Sequence, residues 1–186
     1  MVLGIIFLVI VVALGLMLVG TYNRLVGLRQ RANQAFADID VQLQQRHDLI
    51  PNLVETVKGY ATHEKGTLEA VTAARAAATS AGTVEEKVQA ENVLTGALRQ
   101  LLAVAEAYPD LKANQNFLQL QGELGDVENK LAAARRFFNS AVSEFNAAIQ
   151  QFPAVLIAGA MGFTERTFFD VGADRAAVAA APEVKF

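Results

Sequence analysis

The apolar positions divide the chain into one uninterrupted apolar run and a longer stretch of amphipathic helices. Residues 2–19, bounded by Val2 and Val19, carry no polar side chain, and at 1.5 Å per residue they make roughly 27 Å of helix. That length is close to the ~30 Å hydrocarbon core of a bilayer. The run predicts a membrane-spanning helix, with Tyr22 in the interfacial zone that aromatic side chains favour.

A cleavable signal peptide is the competing interpretation of this run. Such a peptide carries a basic residue before its apolar core and a small-residue cleavage motif after it. Neither feature is present here. The pattern therefore favours a retained anchor over residues 1–21, with the lipid bilayer as its partner.

The charges that flank the run predict its orientation. Arg24, Arg29 and Arg31 follow the run and precede the first acidic residue, Asp38. Basic residues next to a span favour the cytoplasmic side. We therefore expect the N-terminus outside and the helical body in the cytoplasm, with a periplasmic body as the alternative.

Beyond the anchor, apolar residues recur at the three- and four-residue spacing of one helix face. This stripe predicts that the anchor helix continues to about Tyr60, and Arg46 interrupts it at an expected apolar slot. The stripe consists of Phe36, Ile39, Leu43, Ile50, Leu53, Val57 and Tyr60.

Pro51 lies within this predicted helix, where it cannot donate a hydrogen bond to the carbonyl of His47. Either the helix kinks and continues, or Asp48 caps a new helix. The polar block around it (Arg46, Asp48, Pro51 and Asn52) has two interpretations. It forms a bend whose polar groups are satisfied inside the protein, or it forms a surface on which another protein docks.

Three more amphipathic helices follow. Residues 67–79 form an Ala-rich segment, a capping box at Thr83 and Glu86 opens the next helix, and the last runs over residues 113–151. Short loops join these segments, so each buries its apolar stripe against its neighbours. The expected fold class is all-α, with an antiparallel, coiled-coil-type bundle of long helices over residues 22–153.

Two asparagines in the last helix are candidates for setting its register. Asn139 and Asn146 are seven residues apart and lie on the same helix face, beside Phe138 and Phe145. Buried asparagines commonly fix the register between helices. A contact with a peptide or a partner protein is the second interpretation.

Residues 154–186 form a second apolar region, which a closed bundle does not need. Because its first part carries little charge before Glu165, we expect contact with a neighbouring subunit rather than with the membrane surface. The candidate contacts are Leu156, Ile157, Met161, Phe163, Phe168, Phe169 and Phe186.

Composition and charge exclude several classes of function. The chain has no cysteine and a net charge of −3, which argues against disulfide-stapled modules, cysteine-based metal sites and nucleic-acid binding. The sequence contains no nucleotide-binding or hydrolase motif. We expect no catalytic residues, metal or cofactor, and surface or helix-interface positions for His47 and His63.

Three stretches of the sequence resemble the LemA family. They are QLQQRHDLIPNLVETVKGYATHEKGTLEAVTAARAA at residues 42–77, the stretch from YPDLKANQNF to FNAAIQQFP at residues 108–153, and PEVKF at residues 182–186. One departure is that family members often carry tyrosine where Phe138 and Phe145 stand. Phenylalanine lacks the tyrosine hydroxyl, so the difference bears on any hydrogen bond from these two positions and leaves their packing role intact.

The resemblance implies a bacterial inner- or plasma-membrane protein with one span and an antiparallel helical bundle. Relatives are associated with membrane-stress or membrane-protease operons, and one takes part in forming magnetosome membranes. No enzymatic activity is established for the family, so the resemblance implies a non-enzymatic role.

Two hypotheses of function follow from these patterns. The first is a membrane-anchored helical scaffold, a homo-oligomer that organises or remodels membrane. The alternative is an adaptor or regulator that binds a membrane protease or signalling protein as a small oligomer.

Overall fold

The computed structural model describes residues 1–169, and within that range the protein is built from helices and contains no strand. This confirms the predicted all-α fold class. The helices are α1 (Val2–Lys58), α2 (Lys65–Ser80), α3 (Val84–Glu106), α4 (Pro109–Lys112) and α5 (Gln115–Gln150), followed by a 3-10 turn at Ala154–Leu156.

Helix α1 continues from the apolar run through Pro51 to Lys58 without interruption. Asp48 therefore does not cap a new helix; its carboxylate accepts a hydrogen bond from the Gln44 side chain at 2.8 Å. The helix ends before Tyr60, whose ring is exposed rather than buried as the stripe predicted. Its hydroxyl accepts a hydrogen bond from Asn114 at 2.9 Å.

The predicted capping box at the start of α3 is confirmed. The Thr83 hydroxyl accepts from the Glu86 N–H at 3.1 Å, and the Glu86 carboxylate accepts from the N–H groups of Thr83 and Gly82 at 3.0 and 2.9 Å. Because these backbone donors stabilise the charged carboxylate, they lower the pKa of Glu86.

The chain divides into two compact units. Because the units group residues by packing, their boundaries differ from those of the segments 1–21, 22–153 and 154–186. Unit 1 consists of Met1–Ile39 and Ala134–Phe168, and the described part of unit 2 consists of Asp40–Ala133 with Phe169. Helices α1 and α5 each contribute residues to both units.

Unit 2 is a four-helix bundle in which successive long helices alternate in direction. Contacts along α1 match increasing residue numbers on α3, from Asp40 with Lys87 to Arg46 with Thr95, so these two helices run the same way. Helix α5 runs the opposite way, since Asn114 at its start contacts Tyr60 whereas Glu128 lies beside Arg46. Helix α2 also runs the opposite way, since a short turn joins it to α1 and its last turn brings Thr79 to His47. Apolar side chains from these four helices and from α4 fill the centre. Those exposed by 3% or less include Ile50, Leu53, Val57, Val71, Leu94, Leu101, Leu111 of α4 and Phe117 of α5.

Unit 1 pairs the first part of α1 with the last part of α5. Arg31 contacts Glu144, and further from the anchor Phe36 packs against Phe138 with ring centroids 5.5 Å apart. The two helices therefore run antiparallel, and the C-terminal end of α5 points toward the apolar run. Leu25 lies in the buried cluster at that end of the pair.

The segment after α5, residues 152–163, folds back onto this helix pair, and we call it the return segment. Ala154, Ala158 and Phe163 enter the buried cluster around Leu25. Gly162 adopts a φ of +74°, a left-handed conformation that side chains with a Cβ rarely tolerate. That conformation lets the chain turn so that the Phe163 N–H donates to the Ala158 carbonyl at 2.9 Å.

Candidate functional site

The apolar run at the start of α1 has the length and composition of a membrane span. An 18-residue window within the helix has a mean hydropathy of 3.3, and none of that window is buried within the protein. Side chains from Val2 to Val19 are exposed, whereas Leu25 is buried. One helix thus changes from a fully exposed apolar surface to a buried stripe within two turns.

The residues predicted to mark the membrane interface surround the return segment. Tyr22 packs edge-on against Phe163, with ring centroids 5.7 Å apart. The Arg29 guanidinium lies 5.1 Å from the centre of the same ring, a distance typical of a cation–π contact. Arg24 is exposed.

Arg31 forms an ion pair with Glu144 at 2.9 Å, and both side chains remain about half exposed. Of the three arginines that predict the orientation, two therefore also contact other parts of unit 1.

The predicted oligomer contacts separate into buried and exposed side chains. Phe163 and Phe169 are buried within the protein, and Ile157 is partly buried, so these rings and this side chain contribute to the chain's own packing. Phe186 lies outside the described residues. The exposed members of the set are Leu156, Met161 and Phe168.

Asn146 holds the backbone that follows the return segment. Its amide nitrogen donates to the Arg166 carbonyl and its amide oxygen accepts from the Arg166 N–H, both at 2.9 Å. Within unit 1, Asn146 therefore connects α5 to the non-helical backbone at Arg166. Asn139 is partly buried one heptad earlier.

Arg166 extends this contact toward α1, where its guanidinium donates to the Asn33 side chain. Partial burial lowers the pKa of Arg166, and the nearby charge of Arg29 lowers it further.

A buried charged cluster lies at the centre of unit 2. Glu91 of α3 is only 1% exposed, and its carboxylate contacts two side chains of α1. Arg46 Nη1 donates to Glu91 Oε2 at 2.9 Å, and His47 Nε2 lies 2.6 Å from Glu91 Oε1. A carboxylate oxygen accepts hydrogen bonds, so Nε2 of His47 is the donor.

Further polar contacts surround Arg46 and His47 in this cluster. Arg46 Nη2 donates to the Thr95 hydroxyl at 3.0 Å and lies 3.4 Å from a Glu128 carboxylate oxygen. His47 Nδ1 lies 3.5 Å from the Thr79 hydroxyl. Side chains from all four helices of unit 2 thus meet around one arginine and one histidine.

Pro51 is accommodated by a side chain from α2. A proline at this position leaves the carbonyl of His47 without its helical N–H donor. Arg75 Nε replaces that donor, since it lies 2.7 Å from the His47 carbonyl oxygen. Asp48, Pro51 and Asn52 are themselves exposed, so only the Arg46 side of the polar block faces the core.

Sequence reasoning missed Glu91, although a signal for it was present. Val84, Val88 and Leu98 line one face of α3, and Glu91 falls at a slot where that spacing calls for an apolar residue. Arg46 interrupts the stripe of α1 in the same way. Two opposite charges at expected apolar slots of neighbouring helices indicate a buried pair.

The histidines occupy different environments. His47 lies at a helix interface and is buried, whereas His63 is exposed in the turn between α1 and α2. A cleft of about 810 Å³ opens near this turn, with Val54, Leu68 and Ala73 among its lining residues.

A family comparison identifies the chain. The model of the LemA family matches residues 35–186, which is most of the sequence. The chain belongs to the LemA family. The match includes every residue of unit 2 and the whole of α5, and it confirms the resemblance of the three sequence stretches.

Individual relatives are more distant. Magnetosome protein MamQ of Magnetospirillum gryphiswaldense is 23% identical over 174 residues, covering 80% of this chain and 64% of MamQ. Magnetosome protein MamQ 2 of Paramagnetospirillum magneticum matches with the same identity and coverage. Protein LemA of Metamycoplasma hominis is 28% identical over 139 residues, covering 72% of this chain and 62% of that protein.

The chain therefore spans less than two thirds of the length of the curated relatives it matches. Family membership and the exposed apolar run together support a membrane-associated helical protein.

Proposed function

We propose that this LemA-family protein is a non-enzymatic scaffold that is anchored in a bacterial inner or plasma membrane and self-associates there to organise or remodel it. One observation carries the proposal: α1 leads directly from an exposed apolar run to the buried stripe that begins at Leu25. The same helix both inserts into lipid and builds the core of unit 1. A bound metal or substrate in the purified full chain would contradict the non-enzymatic part.

Three considerations support self-association. Anchoring confines all copies to one plane, which raises their effective concentration relative to free diffusion. In unit 1, Phe137 of α5 is 52% exposed beside the buried Phe138, and exposed aromatic rings are enriched at protein interfaces. Relatives named as magnetosome proteins are consistent with a role at a membrane compartment.

Cross-linking in native membranes tests this proposal, because the chain has no cysteine of its own. We expect Phe137→Cys to form disulfide-linked homodimers on mild oxidation. Arg136→Cys is the matched control, since Arg136 is also exposed but lies about 100° around the helix. Monomers from both variants would contradict self-association through this face, and links to one other protein would instead establish the adaptor role.

We also propose that the helical body lies in the cytoplasm, from the bias of Arg24, Arg29 and Arg31. A Glu69→Cys variant reports this orientation, because Glu69 is exposed on α2. A membrane-impermeant maleimide should label it only after spheroplasts are opened. Labelling of intact spheroplasts would establish a periplasmic body instead.

A further inference from the structure

The return segment exposes a group of apolar side chains at one end of unit 1. Phe152 is 76% exposed and Leu156 is 72% exposed, and Val155 and Met161 are also exposed. Residues 152–163 contain no charged side chain. Contiguous apolar patches on a protein surface usually mark a contact with another protein or with a membrane.

The level on α1 that the return segment contacts places these side chains beside the membrane interface. Phe163 contacts Tyr22, and Tyr22 is three residues, or about 5 Å of helix, beyond the last residue of the apolar run. The polar interface of a bilayer extends roughly 5–8 Å on each side of its hydrocarbon core. With α1 spanning the bilayer, the Phe163 end of the return segment therefore lies at the depth of the headgroups.

The direction of α5 leads to the same placement. Pairing of Arg31 with Glu144 and of Phe36 with Phe138 shows that residue numbers on α5 rise toward the anchor. Helix α5 ends at Gln150, so Phe152 leaves it on the side that faces the bilayer.

Basic charge stands next to this apolar patch, although the patch itself has none. Arg24 is exposed on α1, and Arg29 lies over the Phe163 ring. Apolar side chains flanked by arginine match the requirements of an interfacial contact with anionic lipid. These arginines are far from the return segment in sequence, so the low charge of the segment itself does not reveal the basic charge beside it.

We propose that the return segment is a second membrane contact, in which Phe152, Val155, Leu156 and Met161 insert into the interface of the bilayer that holds the anchor. The proposal rests on the proposed anchor. Its occupant is lipid rather than a second copy, because the segment packs through Phe163 against Tyr22, next to the end of the span and at the depth of the headgroups. The protein then contacts the membrane at two sites, through α1 and through the return segment beyond α5.

Nitroxide labels on single cysteines of the full chain test the proposal in vesicles of phosphatidylcholine and phosphatidylglycerol. Leu156→Cys reports the return segment and Ile10→Cys reports the anchor. Ala37→Cys is the matched control, since that side chain is also apolar and exposed in unit 1 but lies about 27 Å of helix beyond Val19. Collisions with oxygen and with a water-soluble nickel chelate measure the depth of each label.

We expect the Leu156 label to collide severalfold less with the nickel chelate, and more with oxygen, than the Ala37 label. Equal chelate access at both sites, with a deep Ile10 label, would overturn the second contact and leave the anchor intact. An Ile10 label that is open to the chelate would overturn the anchor and this inference together. Spin–spin broadening of a Leu156 label screened from both reagents would show that a second copy, and not lipid, covers the patch.

Discussion

The two units bury their polar groups in different ways. In unit 1 the partly buried side chain of Asn146 makes its hydrogen bonds to the backbone of Arg166, beside a core cluster that includes Phe145 and Phe163. Unit 2 buries charged side chains, since Glu91 lies between Arg46 and His47 with almost no exposure. Helices α1 and α5 contribute to both arrangements.

This difference predicts different sensitivity to substitution. A buried ion pair adds little net stability over an apolar pair of similar shape, but removal of one partner leaves the other charge uncompensated. When a neutral polar group loses its partner, the folded protein loses only the desolvation free energy of that group. Unit 2 should therefore be the less tolerant unit, and its charged cluster should fix which residues of α1 and α3 face each other.

The largest expected effect comes from Glu91→Ala, which leaves Arg46 and His47 buried without their shared carboxylate. We expect it to lower the free energy of unfolding by about 3–5 kcal/mol. Denaturant titration of the full chain in detergent measures this change.

Glu69→Ala is the matched control for that variant, because Glu69 is an exposed glutamate on α2. Its effect should stay within about 0.5 kcal/mol. Equal effects of the two substitutions would contradict the role of the buried cluster.

A smaller effect is expected in unit 1 from Asn146→Ala, which removes both hydrogen bonds to the Arg166 backbone. The free energy of unfolding should fall by about 1–3 kcal/mol, because the backbone groups of Arg166 lose their partner. Gln150→Ala is the control, since Gln150 makes an exposed hydrogen bond to Glu165 at 2.7 Å. A loss from Asn146→Ala as large as that from Glu91→Ala would erase the distinction between the units.

The capping box of α3 predicts a dependence of stability on pH. The pKa of Glu86 is lower in the folded protein than its ordinary value of 4.5. Its contribution is therefore fully present above pH 4.5 and is lost as the pH falls through the lower folded value. Glu86→Gln should be less stable than the parent at neutral pH and should approach it in acid; a constant difference would contradict the cap as the cause.

The smallest effect is expected for Arg31→Ala, which removes an exposed ion pair with Glu144. Such pairs contribute about 0–1 kcal/mol because water screens both charges. The melting temperature should change little, and the change should vanish at high salt. A large loss would show that the arginine also supports the core of unit 1.

The fold was predictable from the spacing of apolar residues. The stripe from Phe36 to Val57 predicted the continuation of α1, and Thr83 with Glu86 marked the start of α3. Both signals are local, since they depend on helix periodicity and on a cap formed within four residues. The predicted burial of Tyr60 on this stripe was wrong, because α1 ends at Lys58, two residues earlier.

The partners of the charged residues were not predictable in the same way. Arg46 was recognised as an interruption, but its partner is 45 residues away on another helix. Likewise, the sequence predicted Phe163 as a candidate contact with a neighbouring subunit, whereas in the fold it lies against Tyr22 and Arg29. Pairings of this kind depend on tertiary packing, and the periodicity of a single helix does not predict which residues of other helices it contacts.

Under the scaffold proposal, many copies of this chain assemble in one membrane. Electron microscopy of the protein extracted together with its surrounding lipid tests it most directly. The scaffold proposal predicts particles that contain several copies, arranged as rings, shells or patches on the bilayer. Isolated particles with a single copy each would contradict it.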